Sequence, residues 1–256
     1  MARNIAAVDT LARRAREAGA EFITLPENAF CMDAPGAVKP ANIFTPTTHP
    51  AIVFCEKLAK ELGCFLLVGS VALKLDDSGK RVNRSLLISP EGMVTAHYDK
   101  IHLFDVQLPG GEKYEESAKI MPGNEAVLAR LPWGKLGMTI CYDVRFPQLY
   151  RSLAQAGADF LTVPAAFTKV TGEAHWHTLL RARAIENGCY VFAPAQTGAH
   201  PGGRKTFGHA LIVDPWGEVL ADAGEEAGFV TAVIDPARVT DIRARIPSLK
   251  HDRNWS

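Results

Sequence analysis

The sequence predicts a layered α/β fold, read as a single domain over residues 1–256, and three observations carry that prediction. Helical and strand periodicities alternate along most of the chain. The stretch AGAEFITLP at 18–26 returns as AGADFLTVP at 156–164, each time behind a helix rich in Ala, Leu and Arg, so the chain contains a duplicated unit. Hydrophobic residues make up 47% and charged residues 22%, which supplies a large core and argues against disorder.

Ile5, Val8, Leu11, Ala12 and Ala15 recur at helical spacing ahead of Gly19, which predicts an amphipathic helix over 3–18. A strand follows at 21–25. After a loop rich in Pro, Thr and Ala, Pro50 opens a second helix and Gly63 closes it before the apolar strand CFLLVGSVAL. DDSGK makes a turn, and RVNRSLLIS and MVTAHYD, joined by Pro90, Glu91 and Gly92, form a hairpin ending at Lys100. A long loop is expected over 101–124. KLGMTI is the next strand, 147–157 a helix, FLTVP a strand, AHWHTLLRARAIENG a helix and CYVFAPAQ a strand. HALIVDPWGEVLADAGEEAGFVTAVID closes with two strands about a Gly-rich turn, and the last twenty residues read as a polar, Arg-rich tail.

Lys and Arg total 28 and Asp and Glu total 28, so no net positive field is available to hold nucleic acid or an anionic membrane. A small molecule is the expected partner. No stretch is apolar enough to suggest a membrane span. Five cysteines without paired spacing read as reduced thiols, and the amino-terminal segment lacks the apolar region of a secretory signal, so the cytoplasm is the expected compartment.

Glu27, Lys100 and Cys141 each stand at the end of a predicted strand, where α/β proteins collect their sites. Cys141 lies on a strand-to-helix turn, and the dipole of the helix behind it is expected to favour a thiolate. Cys31, Cys55, Cys64 and Cys189 read as small buried apolar residues. A thiolate that attacks an amide or nitrile carbon needs a base for its proton and positive charge where the oxyanion forms. Glu27 and Lys100 suit those roles, although either alone would pass for a solvated surface charge.

LPENAF, YDKIHLFD and GMTICYDVRFPQLYR together resemble the nitrilase superfamily of carbon-nitrogen hydrolases, and AHWHTLLRARAIENGCYV and GHALIVDPWGEVLA look like its later blocks. The resemblance covers nearly the whole chain. It implies a four-layer αββα sandwich, a Glu27, Lys100, Cys141 triad, no metal or organic cofactor, and association through helices into a homodimer or larger homo-oligomer. It further implies that Glu116, with Glu115 beside it as the alternative, positions the substrate and supports Lys100, and that the Tyr142 N–H joins Lys100 at the oxyanion. Arg145, Phe167 and Thr171 would line the pocket. Arg145 could clamp a substrate carboxylate in bidentate fashion, or could instead be a helix-terminal arginine paired with Asp143.

YDKIHLFDVQLPG, CYDVRFPQ and the AHW block resemble the Nit branch, which implies an amidase that cleaves the terminal amide of a 2-oxo acid, with release of ammonia. Deaminated glutathione is the first candidate substrate and 2-oxoglutaramate the second. An N-carbamoyl amide hydrolase and a scaffold that has lost activity are the alternatives. Members of the superfamily begin with a strand before the first helix, and the internal repeat asks for one as well, so the chain as given is expected to lack that strand, with either poor folding or a late start assignment as the reading. His175 and His177, two residues apart on a helix, point to different faces and make a poor metal pair. HPGGRKTFGH lacks the strand, loop and helix order of a phosphate cradle and reads as a mobile loop beside the active-site mouth.

Overall fold

The protein is described by a computed structural model over residues 1–32, 44–75, 79–109 and 111–253. The Pro, Thr and Ala-rich loop and the DDSGK turn lie partly outside these residues. Helix α1 (Ala2–Glu17) precedes strand β1 (Phe22–Thr24), and α2 (Pro50–Leu62) precedes β2 (Phe65–Leu73), β3 (Val82–Ile88) and β4 (Val94–Asp99). These strands form one sheet in the order β1-β2-β3-β4, with β1 parallel to β2 and the later pairs antiparallel. A short hairpin, β5 (Asp105–Gln107) and β6 (Lys113–Glu115), then leads to β7 (Val127–Leu131) and β8 (Gly134–Met138). Next come α3 (Pro147–Gln155), β9 (Phe160–Thr162), α4 (Lys169–Asn187), β10 (Tyr190–Ala193), β11 (Thr197–Ala199), β12 (Lys205–Phe207), β13 (Leu211–Val213), β14 (Val219–Asp222) and α5 (Ala237–Arg245). The second sheet runs β14-β13-β10-β9-β8-β7.

Local chemistry sets the helix ends. The buried His49 is held neutral by desolvation, its pKa lowered to about 4, so its Nδ1 accepts the Ala51 N–H and caps α2 ahead of Pro50. Gly63, at φ 61°, supplies the left-handed C-terminal residue.

The duplication is visible in the topology. Both β1, β2, β3, β4 and β9, β10, β13, β14 run as a parallel pair followed by two antiparallel additions. The copies differ on one side: β9 also pairs with β8, whereas β1 has no second neighbour among the described residues. The position where the repeat asks for a first strand is therefore an open edge on β1 among these residues.

The sheets stack with helices outside. Ile23, Leu66, Val68, Leu86 and Ile88 pack with Ala12 and Ala15 of α1 and Ile52, Cys55 and Leu58 of α2. Alternate residues of the same strands, Phe22, Phe65, Leu67 and Leu87, turn the other way and join the second sheet. Phe22 meets Phe192 edge-on at 5.7 Å between ring centroids, and Phe65 meets Trp133 at 5.9 Å. α3 and α4 cover the far face of the second sheet, completing the αββα order.

Five expectations need correction, the first being HPGGRKTFGH, which holds a 3₁₀ turn and strand β12 paired with β11 rather than a loop. The segment 101–124 holds the β5-β6 hairpin and a 3₁₀ turn at Glu116–Ala118. The polar tail contains α5, whose Val239 and Ile242 are buried. Their spacing of three is helical, but surrounding arginines mask it. The two closing strands both lie before Ala223, while 227–235 joins no ladder and leaves Val233 almost fully exposed. α4 starts at Lys169, five residues earlier than its apolar pattern suggests, behind Thr168.

The approach of β2 to the β1 end is close enough to demand glycine. A Cβ on Gly69 would lie 1.8 Å from the Leu25 carbonyl oxygen and 2.3 Å from that of Pro26. Gly69→Ala should cost at least about 3 kcal/mol, because backbone must move to admit it. A urea midpoint equal to that of the parent would refute this.

Candidate active site

Glu27 follows β1, Lys100 follows β4 and Cys141 follows β8, so the structure gathers residues from both sheets at one place. Lys100 Nζ donates to Glu27 Oε1 at 2.9 Å and to Glu116 Oε2 at 2.8 Å. Lys100 and Glu27 are both buried. Glu116, not Glu115, is the second carboxylate: Glu115 points outward and pairs with Lys113. Glu116 also accepts the Phe104 N–H at 2.7 Å, which fixes the 3₁₀ turn against the Lys100 loop.

Asn83 is a member of the cluster that sequence reasoning misses: its Nδ2 donates to Glu27 Oε1 at 2.9 Å and to Glu116 Oε1 at 3.3 Å. Its only signal is a place in the polar run Asn83, Arg84, Ser85 of VNRSLLI, too faint to name it. The Ala166 N–H donates to Glu27 Oε2 at 2.9 Å, and Gln196 Nε2 to the Glu27 carbonyl at 3.1 Å. Ala166 follows the β9 strand end that matches the β1 end in the repeat.

The Glu27 carboxylate and the Cys141 thiol are buried neighbours, each shifting the ionisation of the other. Burial alone would raise Glu27, but Lys100, with Arg204 behind it, holds its carboxyl below the ordinary value. Burial would lower Lys100, but Glu116 and Glu27 hold the ammonium above its ordinary range. Burial and then Glu27 push the Cys141 thiol well up, against the pull of Lys100. The expected dipole-favoured thiolate is therefore not what the geometry provides. Cys141 opens only a 3₁₀ turn, Cys141–Arg145, α3 begins at Pro147, and an adjacent carboxylate opposes a second negative charge. The pair is a neutral thiol beside an ionised base.

The Cys141 turn is strained and braced. Cys141 has φ 49°, a left-handed value uncommon outside glycine. Its N–H reaches the Pro164 carbonyl at 2.9 Å. Buried Asp143 accepts the Ile140 N–H at 2.8 Å, the Tyr98 hydroxyl at 2.7 Å and the His102 N–H at 3.0 Å, so strand β4 and the Lys100 loop hold the turn. Arg145 is not Asp143's partner. Its guanidinium lies over the rings of Phe167 and Tyr142, at 5.3 and 5.9 Å from their centroids, with His175 beside it. The Tyr142 N–H belongs to the opening turn, where helical geometry leaves donors without acceptors. Thr171 is buried, but its hydroxyl turns to that of Thr168 at 2.8 Å, and no described contact ties it to the charged cluster.

His175 and His177 do diverge, as their spacing predicts. His177 Nε2 lies 3.0 Å from Asp222, which His209 Nδ1 approaches at 2.9 Å. Two imidazoles and a carboxylate with ligand chemistry therefore meet there through residues distant in sequence.

With Glu27 held ionised and the Cys141 thiol neutral, kcat/KM should stay level through neutral pH and fall as Glu27 takes up a proton below the ordinary glutamate range. The same depressed carboxyl contributes stability that is complete above the ordinary glutamate value and lost as pH falls through its lower folded value. A pH-rate profile with an acid limb centred near neutrality would contradict this assignment.

The profile of the carbon-nitrogen hydrolase family matches residues 1–244. A deaminated glutathione amidase from Synechocystis sp. is 46% identical over 252 residues, 97% of this chain and 92% of that protein. The crystal structure of Saccharomyces cerevisiae Nit3, described as a member of branch 10 of the nitrilase superfamily, aligns with a TM-score of 0.84 at 28% identity, covering 97% of this chain and 90% of that one. An amidase from Nesterenkonia sp. AN1, whose active-site cysteine carries an acrylamide adduct, aligns with a TM-score of 0.79 at 27% identity, covering 96% and 92%. Among the described residues no helix is long and apolar enough to cross a membrane. The chain belongs to the carbon-nitrogen hydrolase family and is an amidase of the nitrilase superfamily.

Proposed function

We propose that Cys141 is the nucleophile, Glu27 the general base and acid, and Lys100 with the Tyr142 N–H the oxyanion donors, in hydrolysis of the amide of a 2-oxo acid such as deaminated glutathione. The carrying observation is that a buried Glu27, held ionised by its bond to Lys100, stands beside the buried Cys141 thiol and shifts its ionisation. As the sulfur attacks the amide carbon, its proton passes to Glu27 and then to the departing nitrogen as the carbon-nitrogen bond breaks. Water then attacks the thioester while Glu27 takes its proton, and the sulfur leaves as the thiol once that proton returns. Lys100, held charged by two carboxylates, gives the oxyanion a fixed positive neighbour.

The substrate class is supported by the name of the Synechocystis relative and by Arg145, whose guanidinium beside Tyr142 and Phe167 can receive the 2-oxo acid carboxylate. The leaving group follows from the substrate's own bonds. In deaminated glutathione the terminal amide nitrogen belongs to cysteine, so the departing amine is cysteinylglycine. Ammonia leaves only when the substrate is 2-oxoglutaramate. The expectation of ammonia release is thus corrected for the first candidate. Both substrates yield 2-oxoglutarate, whose formation is the measurement to make. Faster turnover of deaminated glutathione is expected, and no 2-oxoglutarate from either would remove this substrate class.

We also assign a homo-oligomer in the cytoplasm. Five cysteines without a disulfide support the compartment, and exposed Val170 and Ile185 on α4, with Trp216, support the association. Light scattering at the monomer mass of 27.8 kDa would refute the association.

A further inference from the structure

Arg204 lies at the start of β12, on the glycine-rich turn that returns from β11. Its Nη2 donates to the Ala166 carbonyl, and the N–H of the same residue holds Glu27 Oε2. One residue therefore links the guanidinium to the base. The Arg204 guanidinium lies 5.2 Å from the Tyr114 ring centroid, and its buried Nε–H meets no acceptor among the described residues. A buried donor left unpaired carries a cost of about 1–3 kcal/mol, which a ligand oxygen would relieve.

A chain of rings joins this arginine to Arg145. Tyr114 meets Phe104 at 5.1 Å, Phe104 meets Tyr142 at 5.2 Å, and Tyr142 lies under Arg145. The site thus has an aromatic wall with a guanidinium at each end. The two ends are chemically unequal. Arg145 belongs to the nucleophile turn, where the acyl part of the substrate becomes bonded to sulfur. Arg204 belongs to the side of Glu27, which hands its proton to the departing amine.

We propose that Arg204 forms a subsite for a carboxylate carried by the leaving amine, so that the enzyme selects amides with an anionic group on both sides of the scissile bond. This rests on the amidase reading given above. In deaminated glutathione the second anion is the glycine carboxylate, whereas 2-oxoglutaramate releases ammonia and offers nothing to this arginine. A planar guanidinium suits a carboxylate in bidentate fashion.

The test compares deaminated glutathione, its analogue with the glycine carboxylate converted to an amide, and 2-oxoglutaramate, on the full chain and on Arg204→Met. The parent should prefer the acid over the amidated analogue by at least about 10-fold in kcat/KM, chiefly through KM, and Arg204→Met should reduce that preference to within about twofold. Free cysteinylglycine should inhibit the parent competitively and the variant at least about 10-fold more weakly, and Arg204→Lys should recover part of both effects. Because Arg204 also influences Glu27, the decisive quantities are the ratios between substrates. Equal losses on all three substrates, or a parent indifferent to the amidated glycine, would overturn the subsite and leave the amidase reading standing. A parent that hydrolyses none of the three would overturn both.

Discussion

Cys141→Ala should lower kcat by at least about 10⁴-fold while leaving the fold in place, because loss of a nucleophile removes the covalent route and spares only binding and oxyanion stabilisation. The side chain removed is small, and the left-handed backbone at this position is no worse for alanine than for cysteine. The Pro164 carbonyl still receives the residue's N–H and Asp143 still braces the turn. The unfolding midpoint should therefore correspond to a change of no more than about 1.5 kcal/mol. Glu27 keeps its bonds to Lys100, Asn83 and the Ala166 N–H, so the variant should also bind substrate. Mass spectrometry should find an acyl adduct on the parent during turnover and none on the variant. Product release surviving in the alanine variant would sink the thioester scheme.

Lys100→Met is expected to injure both stability and chemistry. The ammonium is 2% exposed and lies between two carboxylates, so its removal leaves Glu27 and Glu116 facing each other with far less water than they need. Breaking such a pair by deleting one partner costs about 3–5 kcal/mol. Turnover should be lost as well, because Glu27 without its cation becomes a protonated acid near neutral pH and can no longer accept the thiol proton. The sign of the pH effect reverses with the substitution. In the parent, ionised Glu27 stabilises the fold above the ordinary glutamate range, whereas in the variant its raised pKa makes ionisation a burden that acid relieves. The gap between the two melting temperatures should therefore narrow from pH 7 to pH 5. Adding Glu116→Gln to Lys100→Met should restore part of the stability and none of the activity. A gap that widens on acidification would show that Lys100 does not control Glu27.

What is legible in the sequence, and what is not, divides along physical lines. Glu27 and Cys141 follow strands with a plain apolar run and Lys100 follows the alternating VTAHYD, so their positions can be read from local pattern. The repeat at 18–26 and 156–164 anticipates the matching strand orders of the two sheets because duplicated sequence retains duplicated pairing. Glu116 can be separated from Glu115 only by the fold, since both belong to one acidic stretch and the 3₁₀ turn decides which of them faces Lys100. Asn83 and Arg204 act across sheet and loop packing, with partners 33 to 56 positions away along the chain. No window of local sequence records such contacts. The state of the Cys141 thiol escapes sequence reading for the same reason: a turn and a following helix are visible in sequence, but the buried carboxylate that opposes the thiolate comes from the other sheet. The β11-β12 hairpin reads as a loop because three-residue strands between glycines carry too little periodicity to register.

The division of the site between the two sheets also governs when the protein becomes chemically competent. A nascent chain that has formed only the second sheet displays the cysteine without its acceptor, and one that has formed only the first holds the carboxylate and lysine with nothing to activate. Turnover should then appear only once the sheets have met, with Phe22 and Phe65 against Phe192 and Trp133. Recovery of turnover during refolding should therefore report the docking of the sheets rather than the formation of either one.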